Sequence, residues 1–262
     1  MIQQNISFAG AGRVASALCK EIFNSGYNID LIVSETPNNG KLLADSCNAT
    51  WSPDLRFPDS TGIIIVAVPD HRLKNVLEKI NCRKETLIAH TAGSIGLDIF
   101  PSQIKKKGVF YPLQTFSKER EIVFKDLPFF IESSDNQSSA ILGDLAVSLG
   151  GKVHFVDTEH RRMLHLAAVF VSNFSNHLFT LGKEVTSSAG LSFDVLEPLI
   201  KETFSKAMDI GPENAQTGPA IRNDQNTIEK HLELLSFSPE LQRIYGEMTR
   251  SIITYYNIKD KR

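Results

Sequence analysis

Six residues close to the start, Gly10-Ala11-Gly12-Arg13-Val14-Ala15, fit the pattern G-x-G-x-x-A. Between a strand and a helix, each small residue has a purpose. The first glycine permits a tight turn, and the second lets the backbone approach a pyrophosphate. The small Ala15 allows close helix–strand packing, and the helix N-terminus favours the anion. The chemistry implied is dinucleotide binding, with Gly10, Ala11, Gly12, Arg13 and Val14 around the pyrophosphate. An NAD site places an acid about 20 residues further on, at the end of the second strand. Ser34, Glu35 and Thr36 stand there. Glu35 holding a ribose hydroxyl would mean NAD(H). Ser34 and Thr36 hydroxyls holding a 2′-phosphate would mean NADP(H), with Lys41 the nearest basic residue.

Three further strand ends carry polar or proline residues: Val68-Pro69-Asp70, His90-Thr91-Ala92-Gly93-Ser94 and Tyr111-Pro112-Leu113-Gln114-Thr115. Ligands of open parallel sheets bind beyond the carboxyl ends of the strands. Val68, Pro69 and His90 are therefore candidates for the cofactor, and Tyr111 and Gln114 for the substrate. The alternative is structural: Pro69 and Pro112 end strands, while Asp70 and Ser94 cap helices.

A long apolar helical stretch, Leu164 to Leu181, reads as buried. On a wheel of 3.6 residues per turn, Ser172 and Asn176 fall about 20° either side of His165. Thr180 falls about 60° away, Asn173 about 80° and His177 about 120°. Buried polar groups need partners. The stripe is either a helix–helix seam, such as a dimer interface, or a wall facing a nicotinamide. In the second case His165 donates a proton to a carbonyl or imine as hydride arrives, Asn173 and Asn176 orient the substrate, and Ser172 lines it. Arg222 could clamp a carboxylate, or Arg222 and Asp224 could form a structural ion pair or a cap at a helix junction.

These residues need a scaffold of alternating elements. Strands are expected at Ile6–Ala9, Ile29–Val33, Gly62–Val68, Thr86–Ala89, Val109–Tyr111, Phe129–Glu132 and Val153–Val156. Helices are expected at Arg13–Ser25, Lys41–Cys47, Arg72–Ile80 and Asn136–Leu149. The alternation implies a Rossmann-like α/β domain with a mostly parallel sheet over residues 1–156. The remainder, 157–262, is expected to be all helical. Its predicted helices are one continuous helix over Glu159–Ser188, one over Phe193–Asp209 with Pro198 in its first turn, one opened by a capping box at Asn226–Glu229, and one from Pro239 to Tyr256.

The chain has 262 residues, of which 42% are hydrophobic and 22% charged, with a net charge of −2. At roughly 150 residues per domain this is one large domain or two modest ones. The charge balance argues against nucleic acid as the main partner. Cys19, Cys47 and Cys82 are too few and too widely spaced for a disulfide framework or a zinc site. No basic leader precedes the first strand, and the apolar helix holds too many polar residues to span a membrane. A cytoplasmic protein without metal is the expectation.

The segments FAGAGRVASAL, IIIVAVPD, HTAGS, GVFYPLQTFSK, LHLAAVFVSNFSNHLF and TGPAIRND together resemble a bacterial family of NADP oxidoreductases. Its members join a Rossmann-like domain to a helical domain of unknown function. The first domain is also similar to pyrroline-carboxylate reductases and deazaflavin-dependent NADP reductases. The second is similar to the 6-phosphogluconate and β-hydroxyacid dehydrogenases. The latter carry a catalytic Lys on the long helix with an Asn four residues later. This chain has His165 and Asn173 on that face, and Lys183 lies near the far end, so that likeness is to the fold. The resemblance implies a homodimer, NADP(H) ahead of NAD(H), and hydride transfer to a small carbonyl or imine substrate between the domains. A non-catalytic dinucleotide sensor acting through its dimer is the alternative.

Overall fold

The computed structural model describes residues 5–117 and 120–259. The leader reading at Met1–Gln4 and Lys118 of the YPLQTFSK segment lie outside them. The chain divides into two compact units, Met1–Ser172 and Asn173–Arg262.

The first unit is built on eight strands: β1 (Asn5–Ala9), β2 (Ile29–Val33), β3 (Thr50–Ser52), β4 (Thr61–Val66), β5 (Leu87–His90), β6 (Lys107–Pro112), β7 (Pro128–Ser133) and β8 (Lys152–Phe155). Their order in the sheet is β3-β2-β1-β4-β5-β6-β7-β8. All neighbours are parallel except β6 and β7, which run antiparallel. Helices α1 (Arg13–Asn24), α2 (Pro37–Ser46), α3 (Asp70–Lys79) and α4 (Asn136–Ser148) link strands within the unit, and α5 (Thr158–Ala168) follows the last strand. The chain order reverses between β1 and β4, and that reversal opens the crevice where ligands of such sheets bind.

The run of β-branched residues in β4 shows why the sheet is covered on both sides. Ile63 and Ile65 enter one buried cluster with Phe8, Leu18 and Ile22. Ile64 and Val66 enter the opposite cluster with Leu31, Leu73 and Leu77. Alternate residues face opposite sides of a strand, so a strand buried on both faces has no polar period.

Several boundaries differ from the sequence expectation. Helix α2 starts at Pro37 rather than Lys41, because proline suits the first helical turn, where its missing N–H is not needed. Strand β3 was not expected. It is three residues long and exists through pairing with Leu31–Val33.

The predicted helix over Glu159–Ser188 is interrupted. It is α-helical over α5, π-helical over Val169–Phe174, then α-helical again in α6 (Ser175–Ser188). The wider i→i+5 turn breaks the 3.6-residue wheel on which Ser172, Asn173 and Asn176 were aligned with His165. The expected burial does not hold either, since no residue from Leu164 to Leu181 is buried in this chain.

The second unit continues with α7 (Glu197–Ile210), α8 (Pro212–Ala215), α9 (Gln225–Leu234) and α10 (Pro239–Lys259). Pro198 falls in the first turn of α7, as expected, and a short 3₁₀ turn at Phe193–Leu196 precedes that helix. Asp224, not Asn226, caps α9, and its carboxylate accepts from the Thr227 amide at 3.2 Å.

Candidate active site

The glycine turn leaves β1 at Gly10, where φ is 116°. A Cβ there would lie 2.2 Å from the Ala67 carbonyl oxygen. Only glycine meets both the backbone angle and the close approach to β4. At Gly12, the residue before α1, a Cβ would meet nothing within 4 Å. The first turn of α1 has no side-chain cap and no acidic residue. Its amides are therefore free to face an anion. This cradle fits a pyrophosphate.

A cavity of about 530 Å³ opens from the turn. Gly10, Ala11, Gly12, Ser34, Glu35, Thr36, Val68 and Pro69 line it, all of them expected cofactor residues. Three others are placed differently. Val14 packs against the core beneath the turn. Arg13 lines a separate surface cavity beside α1. His90 lies inside the sheet, fully buried and stacked on Phe100 with ring centroids 5.4 Å apart.

His90 Nδ1 accepts from the Ala92 amide at 3.2 Å. Burial first, and the nearby Arg161 cation second, push its pKa down to about 3, with Asp98 opposing. The folded value lies below the unfolded one, so the unfolded chain binds the extra proton. Stability from this group is complete above the unfolded value near 6.5 and is lost as pH falls toward 3. The expected slope is up to about 1.4 kcal/mol per pH unit in that window. Urea unfolding at pH 7 and pH 5 measures it, and His90→Gln should flatten the difference.

Further along the same edge of the sheet, Tyr111 and His165 come together. The Tyr111 hydroxyl and His165 Nδ1 are 3.0 Å apart, and the rings meet edge to face. Gly93 makes the space, because a Cβ there would lie 2.7 Å from both His165 Nδ1 and Tyr111 Cζ. Burial raises the Tyr111 pKa, so its phenol keeps its proton. His165 reaches this position because α5 is tied to the sheet. Arg161, fully buried, is paired with Glu132 of β7 and donates to the Ile95 carbonyl at 2.5 Å. Arg162 Nε donates to the Ser94 carbonyl at 2.8 Å, and the Ser94 hydroxyl donates to Asp70 at 2.9 Å. Asp70 and Ser94 thus link the start of α3 to the loop after β5, and neither caps a helix as the structural alternative expected: Pro69 precedes α3 without a side-chain cap, and Gly96 precedes the next helical turn.

The other candidates lie on other segments of the chain. The exposed Gln114 bonds its neighbour Thr115. Ser172 lies in the π-helical turn, while Asn173, Asn176 and Arg222 belong to the second unit. Sequence reasoning missed Arg161 and Arg72. Arg72 of α3 grips Glu35 across the rim of the cavity, with Nη1 to Oε2 at 2.6 Å.

A doubly wound sheet, a glycine cradle at its switch point and an open helix terminus define a Rossmann-type dinucleotide-binding protein. Residues 5–93 match the family described as NADP oxidoreductase coenzyme F420-dependent, and residues 127–252 match DUF2520, a domain of unknown function. The chain is 40% identical to putative NADP oxidoreductase BF3122 from Bacteroides fragilis. That likeness covers 96% of this chain and 98% of the other, with a TM-score of 0.88. The chain belongs to this family of NADP oxidoreductases. Protein TM1727 from Thermotoga maritima shares the fold at 22% identity, with 98% and 100% of the two chains covered and a TM-score of 0.73. Glycerol-3-phosphate dehydrogenase (NAD(P)+) from Cronobacter sakazakii is 29% identical over 92 residues, 30% of this chain. The match spans about a quarter, 27%, of that enzyme. NADP(H) is the cofactor the family favours, and NAD(H) stays open. Among the described residues no helix is long and apolar enough to cross a membrane.

Proposed function

We propose that the protein catalyses NADP(H)-dependent reduction, or the reverse oxidation, of a small carbonyl or imine substrate. The observation that carries this reading is the Tyr111–His165 hydrogen bond on the sheet edge that also bears the glycine cradle. Gly10, Ala11 and Gly12 hold the pyrophosphate, with the α1 amides facing it. A bound nicotinamide supplies or accepts the hydride. The chain supplies the proton. The Tyr111 hydroxyl is protonated at neutral pH and can donate to a substrate oxygen or nitrogen; the phenolate left behind takes a proton from His165 Nδ1, and the imidazole regains one from solvent. The reverse direction uses the same path backwards. Asn173, Asn176, Ser172, Gln114 and Arg222 remain candidates for orienting the substrate.

The test is a spectrophotometric screen of NADPH oxidation against cyclic imines, imino acids, aldehydes and 2-oxo acids. Turnover on one class is expected. In parallel, NADPH at a hundredfold excess over Kd should stabilise the fold by about 2.7 kcal/mol. Binding without turnover on any class would favour a cofactor sensor instead.

We also read the protein as a cytoplasmic homodimer. Leu178, Leu199 and Met208 are exposed apolar side chains on helices of the second unit, which supports a second copy as their cover. Light scattering should return twice the chain mass. The odd number and wide sequence spacing of Cys19, Cys47 and Cys82 support a reducing compartment.

A further inference from the structure

The rim of the cavity where β2 ends holds a charge pair that the reading above does not use. Arg72 lies in the first turn of α3, and its guanidinium meets the Glu35 carboxylate with both terminal nitrogens. Both residues line the cavity, together with Asn39, Asn75 and Lys79. The pair is exposed, with the two side chains 46% and 68% accessible. An exposed pair contributes only about 0–1 kcal/mol, so a ligand can replace either partner.

The Ser34 hydroxyl, the candidate for a phosphate here, is already committed. Ser34 Oγ donates to the Thr36 carbonyl at 3.0 Å and accepts from Trp51 Nε1 at 3.0 Å. Gly40 is pressed against this arrangement, since a Cβ there would lie 2.1 Å from Ser34 Oγ. Moving Ser34 toward a ligand would break two bonds in a place with no slack. Arg72 has the opposite character. Its side chain is exposed, carries a planar fork of donors matched to a phosphate, and is paired with an exchangeable carboxylate.

We propose that Arg72 is the residue that selects NADP(H) over NAD(H), by exchanging Glu35 for the 2′-phosphate of the cofactor. The proposal rests on the dinucleotide reading of this cavity. With a 2′-phosphate present, Arg72 turns from the carboxylate to the phosphate, in a cavity that Lys79 and the two asparagines also line. With a 2′-hydroxyl, Arg72 stays on Glu35 and fixes it as the acceptor. Glu35 thus competes with the phosphate for one guanidinium, and the balance between them sets the preference.

Calorimetric titration of the whole chain with NADPH, NADH, 2′,5′-ADP and 5′-AMP tests this. For Arg72→Ala, Kd for NADPH and for 2′,5′-ADP should rise about 10- to 100-fold, as loss of a charge-assisted fork implies. Kd for NADH and 5′-AMP should change less than about threefold. For Glu35→Gln, NADPH should bind more tightly and NADH more weakly. Equal losses for both cofactors in Arg72→Ala, or weaker NADPH binding in Glu35→Gln, would overturn the proposal while leaving dinucleotide binding intact. Wild-type protein that binds none of the four ligands would overturn the dinucleotide reading itself, and the proposal with it.

Discussion

Replacing Arg161 with methionine should cost about 3–5 kcal/mol of folding stability, the effect of removing one partner of a buried ion pair. Arg161 is fully buried. Its loss strands the Glu132 carboxylate, whose side chain is only 17% accessible and whose other contact is the Thr158 hydroxyl at 2.8 Å. The Ile95 carbonyl also loses its donor. Methionine keeps most of the aliphatic volume, so the deficit is electrostatic rather than a cavity. Urea denaturation reads the change. The double variant Arg161→Met with Glu132→Gln should recover part of it, because no uncompensated charge is then left inside. A loss below about 1 kcal/mol for the single variant would place the pair among ordinary surface bridges. Because His165 lies one helical turn beyond Arg161, the variant should also loosen the contact between His165 and Tyr111.

Tyr111→Phe should lower kcat about 100- to 10,000-fold, the usual range for losing a positioned proton donor. Cofactor affinity should stay at the wild-type level. His165→Ala should fall in the same range, and the double variant should be no worse than either alone, because both act on one proton path. Gly93→Ala offers a third approach that replaces neither ring. Its Cβ would enter the space at 2.7 Å from both partners and force them apart. Steady-state kinetics on the substrate class found in the screen, with NADPH binding measured beside it, separates these effects. Full turnover in Tyr111→Phe would move the proton path to other residues.

Much of the scaffold was legible because its signals are local. The GIIIVAV run names a strand buried on both faces, and Gly10 marks the turn whose angle and clearance only glycine tolerates. Tyr111 and His165 were each singled out, one by its strand end and one by its helix, but their meeting was not. It depends on Gly93, on α5 lying against the sheet, and on the anchor at Arg161. That anchor sits in the charged segment Thr158–Arg162, which reads as a solvated first turn. Its burial is created by Glu132, 29 residues earlier, and Ile95, 66 residues earlier. Arg72 was hidden for the same reason, since its partner Glu35 is 37 residues away on another element. The polar stripe failed differently. A wheel assumes one helical period, and the π-helical turn at Val169–Phe174 changes it partway.

Trp51 is the sole tryptophan of the chain. Its indole donates to Ser34 at the cavity wall, and the Lys41 ammonium sits 5.1 Å from the ring centroid. All indole fluorescence therefore originates beside the end of the cavity where β2 stops. Its emission overlaps the absorption of a reduced nicotinamide, so a bound reduced cofactor should quench it by energy transfer. The molecule carries its own optical reporter of occupancy, with no background from any other tryptophan.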